Sequence, residues 1–136
     1  MVLAALPADW TPHRRDDGEL VGWIHPSGAE WMPVDVLGRP ASRHPLDWLE
    51  AEAALEAVGL HWLADVWILE RGDELLRVRI LEVTPPHGGP GRIVVKPDDF
   101  SDVSAPAPVQ IELPWPLPVE LRVPRPGDPD GRTIGA

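Results

Sequence analysis

The chain has 136 residues, 43% of them hydrophobic and 25% charged, enough to bury about two-thirds of its unfolded surface as one globular domain. Its 22 acidic residues outnumber 12 basic ones, and the formal net charge of -10 repels phosphate backbones and anionic lipid, so neither nucleic acid nor a membrane surface is an expected partner. With no cysteine there are no disulfides, thiolate metal ligands or cysteine nucleophiles, and no demand for an oxidising compartment.

At the N-terminus, "MVLAALPADW" carries no basic residue ahead of its apolar run and is interrupted by Pro7, unlike a signal peptide. No stretch approaches the ~18 apolar residues that span a bilayer. A cytoplasmic location is therefore expected.

Three strand-like runs follow, "WTPHRR", "ELVGWI" and "EWMPVDVL", separated by the turn signals Asp16-Asp17-Gly18 and Pro26-Ser27-Gly28. They predict a meander over residues 10–37. Next comes "HPLDWLEAEAALEAVGL", where Asp47 and Glu50 have the spacing of a capping box and Gly59 supplies a stop. Trp48, Ala51, Leu55 and Val58 recur at helical spacing, which predicts one amphipathic helix over 46–58 with its acids away from the apolar stripe.

"HWLADVWILE", "ELLRVRILEV" and "RIVVK" predict a second meander from residue 61, with turns at Arg71-Gly72-Asp73 and across Pro85 to Gly91. Leu76, Val78 and Ile80 share one face, but Leu81 and Val83 then carry the apolar pattern. The alternation changes phase after Ile80, as a bulge or bend requires. Two C-terminal strands, "VQIEL" and "VELRV", place Val109, Ile111, Leu113, Val119, Leu121 and Val123 inward and complete the region at 123. The domain is expected over 1–124, with 125–136 a flexible tail. The fold class is α+β and mainly antiparallel β: two three-stranded meanders, two C-terminal strands and one helix, with the bend curling the sheet into a partly open barrel. The likeness of "DDGELVGWI" to "RGDELLRVRI" is short enough to follow from hairpin chemistry alone.

For chemistry, Trp23 and His25 share a strand face by the two-residue period, and Trp31 opens the next strand. With Trp10 and Glu30 they can line a shallow aromatic cleft, and Asp35 or Glu30 can partner His25. The competing reading is that seven tryptophans spread from Trp10 to Trp115 form a shared core, and it is the one favoured. His13, His25, His44, His61 and His87 show no ligating spacing, so no metal or other cofactor is expected. "PDDFSD" offers Asp98, Asp99 and Asp102 without the pattern of a calcium loop. "HGGPGR", with Arg92, lies between two strands and reads as a hairpin loop rather than a phosphate cradle. "LPWPLPVELRVPRP" alternates as strands do, which outweighs its likeness to a polyproline ligand.

The runs "LPADW", "RRDDGELVGWI", "VDVLGRP", "DWLEAEAALEAVGL", "LLRVRILEV" and "IVVKPDDF" resemble small uncharacterised proteins of unknown function from actinobacteria such as streptomycetes. The resemblance brings no activity, cofactor or catalytic residue with it. It agrees with a residue usage of no Asn, no Tyr, one Lys and one Phe, the mark of a high-G+C genome.

The leading functional expectation is a non-catalytic acidic binding or interaction module for a protein or small ligand. The alternative is a small hydrolase or isomerase using a carboxylate with His25. A homodimer formed through an edge strand is a third arrangement.

Overall fold

The computed structural model describes residues 5–98 and 110–128. β1 (Thr11–Arg14), β2 (Leu20–Ser27) and β3 (Glu30–Asp35) form an antiparallel sheet in the order β1-β2-β3. α1 (Trp48–Val58) follows, then a single 3₁₀ turn (His61–Leu63). β4 (Trp67–Arg71), β5 (Glu74–Thr84), β6 (Arg92–Pro97), β7 (Ile111–Pro114) and β8 (Leu121–Arg122) build a five-stranded half-barrel in the order β7-β6-β5-β4-β8. The chain is α+β, as its patterning predicts.

The phase change in β5 is a bulge. Ile80 pairs with Val95 and Glu82 with Val94, so Leu81 has no partner across the ladder and turns outward. β5 is thereby both the longest strand and a bent one, and the bend brings the inward residues on either side of it onto one concave face.

α1 begins where its cap requires. The Asp47 carboxylate accepts the Glu50 N–H at 2.8 Å, and the Gly59 N–H closes the helix on the Leu55 carbonyl at 2.9 Å. Its stripe packs Ala51 and Leu55 against Val21 and Ile24, with Trp31, Leu46 and Trp48 at the margin. The opposite face of the first sheet meets the half-barrel, where Trp23, Val36 and Leu37 join Trp62, Trp67, Leu69, Val78, Ile80, Ile93, Val95, Trp115 and Leu121 in one core. The three-stranded sheet is the middle layer, between helix and half-barrel, and the two meanders share an interior.

Four details depart from the sequence expectations. Trp62 lies in the 3₁₀ turn and not in a strand, because the chain must reverse between Gly59 and β4; its carbonyl accepts the Trp67 indole N–H at 3.2 Å. β8, which pairs with β4, is two residues long and not the five of "VELRV". Val119 and Val123 are therefore 89% and 55% exposed, and Leu121 alone of that trio is buried. Residues 125–128 are not free, since Asp128 is bonded to Arg122 and to the Arg125 N–H; Val109 and residues 129–136 lie outside the described residues.

Gly22 marks the closest approach in the middle layer. A Cβ there would stand 2.1 Å from the Val34 carbonyl oxygen and 2.9 Å from Leu55. Gly22→Ala is expected to cost about 2–3 kcal/mol, at the upper end of overpacking effects, by forcing β2 away from β3 or α1. Urea denaturation checks this against Gly89→Ala, a loop site with open space around it and no positive φ.

Candidate functional site

The hairpin register decides which of the sequence-picked residues meet. Trp23 pairs with Val34 and His25 with Met32, whereas Trp31 pairs with Pro26, one position out of phase. Side chains on a strand alternate, so Trp31 leaves by the face that Ile24 uses, toward the helix. Trp10, Trp23 and His25 do come together. Trp10 stacks on the His25 ring at 5.1 Å and 9°, and lies 5.9 Å from Trp23, which in turn meets Trp115 edge-on. Trp31 instead meets Trp48 edge-on at 4.9 Å.

Trp23 is buried, as are Trp62, Trp67 and Trp115, while Trp10, Trp31 and Trp48 are half-buried. His25 is half-buried and its Nδ1 lies 3.0 Å from the Pro26 carbonyl oxygen. A carbonyl only accepts, so Nδ1 is the donor there. Glu30 stands exposed at the hairpin tip.

Asp35, only 2% exposed, is the one buried carboxylate among the sequence-picked residues. Its Oδ1 accepts the N–H groups of Leu37 and Arg39, both at 3.0 Å, and its Oδ2 accepts Arg39 Nε at 2.9 Å. The Arg39 guanidinium then lies over the Trp67 ring, 5.4 Å from its centroid. This fixes the loop from Val36 to Arg39 as a platform. The Trp115 indole N–H donates to the Val36 carbonyl at 2.9 Å and the Leu117 N–H to the Leu37 carbonyl at 2.8 Å. Of the two carboxylates that sequence reasoning offered to His25, Asp35 is engaged in building a loop and Glu30 is exposed.

The structure also assembles charged groups that the sequence did not single out as sites. His13 faces Glu52 at 3.4 Å and Glu56 at 3.3 Å, joining β1 to α1 through two carboxylates spaced one helical turn apart. The spacing of the two acids was visible in the sequence; the opposing histidine depends on how the helix packs. Asp98 is buried and held by Arg79 Nε at 3.1 Å and Arg77 Nη2 at 3.2 Å. It is thus committed to arginine, while Asp99 and Asp102 lie outside the described residues. An open cleft of about 630 Å³, lined by Arg15, Asp16, Asp17, Glu56, Gly59, Leu60 and His61, lies at the C-terminal end of α1 and includes none of the six sequence-picked residues.

Carboxylate acidities follow their partners. Asp128 is pulled down to about 2, first by its paired hydrogen bonds from the Arg122 guanidinium at 2.8 and 3.0 Å and then by the Arg125 N–H. Hydrogen bonding and charge from Arg92 hold Glu82 below the usual range. Glu50 moves the other way, raised by its hydrogen bond to Asp47 and by the charges of Asp47 and Glu30. Comparison with known proteins gives no matching family model, curated sequence or solved structure.

Two expectations follow from this geometry. Asp35→Ala strands two loop N–H groups and the Arg39 charge, and is expected to lower stability by about 3 kcal/mol in urea denaturation. Asp35→Asn, whose amide oxygen still accepts both N–H groups, should lose less. For Asp128, the folded value lies below the ordinary ~3.9, so the pair stabilises the 122–128 turn above about pH 4 and that contribution fades as pH falls toward 2. Carboxyl NMR titration should show the low midpoint, and faster amide exchange at Arg125 should accompany acidification or Asp128→Asn.

Proposed function

We propose that the protein is a non-catalytic acidic interaction module that engages a protein partner through the helix side of the molecule. The observation that carries this reading is what the candidate acid–base groups are engaged in. Asp35 is buried and accepts three donors from the 36–39 loop, and the strand register puts it on the other face of the first sheet from His25. His25 is stacked on Trp10. A reaction centre needs such groups turned toward a shared space.

Charge distribution supports the same reading. The register of the half-barrel gathers Arg77, Arg79, Arg92, Lys96 and Arg122 on its outer face, five of the twelve basic residues. They are matched there by Glu70, Glu82, Asp98, Glu112 and Asp128, most of them in direct ion pairs. That face is close to neutral, and the surplus of negative charge falls on the rest of the chain. A field of one sign speeds and orients encounter with an oppositely charged partner. No helix among the described residues is long and apolar enough to cross a membrane; with a cysteine-free acidic chain, a cytoplasmic site of action fits best.

The test pairs a positive and a negative arm. The immobilised full chain should retain a basic protein at low ionic strength and release it as salt is raised, because screening weakens exposed charge contacts. Ester, amide, glycoside and enolisable carbonyl substrates should show no turnover. Turnover that disappears in a folded His25→Ala variant would replace this reading with the hydrolase or isomerase alternative.

A further inference from the structure

Among the described residues, His13 is the histidine whose ring is set between two carboxylates. Nε2 lies 3.3 Å from Glu56 Oε1 and Nδ1 lies 3.4 Å from Glu52 Oε2, with the imidazole 14% exposed. The packing explains the placement. His13 pairs across the ladder with Gly22, where a Cβ would stand 2.9 Å from Leu55, so α1 lies close upon the sheet in this row. Glu52 stands three residues before Leu55 and Glu56 one after it, which puts both acids along the side of α1 that meets the sheet.

We infer that His13 is a proton-operated clasp between β1 and the C-terminal half of α1, closed while the ring carries a proton on each nitrogen and opened when one is lost. An ionised carboxylate only accepts, so each of the two contacts needs its own ring N–H. A neutral imidazole donates from one nitrogen and turns a lone pair outward at the other. Whichever tautomer forms, one carboxylate then faces a lone pair, and one side of the clasp is lost. The helix end favours the charged ring as well, because α1 has no basic residue in its last turn and the cation that complements its dipole comes from β1.

No other charge in the neighbourhood takes over this role. On β2 the residue opposite is Gly22, without a side chain, and beyond it on β3 stands Asp35, held by Arg39. On β1 and its turn, Arg14 donates to the Gly18 carbonyl and Arg15 is paired with Asp17. After the helix, His61 lines the open cleft together with Glu56. Opening the clasp therefore also releases a carboxylate at the cleft wall.

The sign of the pH dependence follows. Folding places both acceptors against the ring and the unfolded chain does not, so the clasp contributes in full below the ordinary histidine value of ~6.5 and is lost as pH rises above it. The test is native-state amide hydrogen exchange on the full chain at about pH 5.5 and about pH 8.5, corrected for intrinsic rates; both lie above the ordinary glutamate value of ~4.3, so histidine is what titrates between them. Relative to β5, which carries no histidine, protection of the β1–β2 ladder and of the last turn of α1 is expected to fall about tenfold at the higher pH. His13→Gln should abolish that difference, and Glu56→Gln, at an exposed position, should reduce it. In NMR of the ring nitrogens, His13 should still hold both protons at a pH where the exposed His87 holds one. A pH difference that survives His13→Gln, or one shared equally by β5, would overturn the clasp. Loss of the second ring proton at the same pH as His87 would overturn it too, a readout on the unmodified chain that decides the matter even where the His13 variant fails to fold.

Discussion

The hydrogen bonding of the Asp35 carboxylate is the interaction on which the rest of the architecture depends. One buried side chain accepts three donors from a five-residue stretch, and in doing so sets the path of Val36, Leu37 and Gly38. Those residues are where the two sheets and the C-terminal segment meet. Val36 and Leu37 place their side chains in the shared core, while their carbonyls receive the Trp115 indole and the Leu117 N–H. Gly38 follows at φ 86° with Pro116 against it, a position where a Cβ would stand 2.4 Å from the proline ring. An ionised group carries a large desolvation cost, so its burial is tolerable only with this full set of donors. Its burial and these three donors leave it committed to the loop.

The middle layer divides the tryptophans between two environments. Indoles on the half-barrel side are mostly closed off: Trp23, Trp62, Trp67 and Trp115 are buried, the Trp67 and Trp115 N–H groups are bonded to main-chain carbonyls, and Trp10 is half-buried at the margin. On the helix side, Trp31 and Trp48 bury their rings against each other but remain partly open. A single residue of register in the β2–β3 hairpin assigns Trp31 to the second group. The aromatic cleft suggested by the sequence is therefore two half-clusters on opposite faces of one sheet.

Much of the fold was legible because local signals agreed with tertiary demand. The cap at Asp47, the stop at Gly59 and the phase change after Ile80 each have a short-range cause, and each occurs where the pattern put it. The site was less legible, since it depends on pairings between distant parts of the chain. That Asp35 belongs to Arg39, and that His13 belongs to Glu52 and Glu56, follows only once the hairpin and helix are packed. Val119 and Val123 misled for a related reason. Alternation identifies an inward face only in a strand that has a sheet to lie on, and β8 is two residues long.

The acids along α1 serve different structural ends. Near the N-terminus, Asp47 and Glu50 interact favourably with the helix dipole, so the structure itself retains negative charge there. Toward the C-terminus the dipole opposes Glu56, and no basic residue stands in the last turn. His13 from β1 sits against Glu52 and Glu56, so the acids at that end are engaged in attaching the helix to the sheet. The acids at the two ends therefore do different things. Those at the C-terminal end face inward to a partner within the chain. Those at the N-terminal end serve capping, with Asp47 Oδ1 accepting the Glu50 N–H, and both side chains remain exposed.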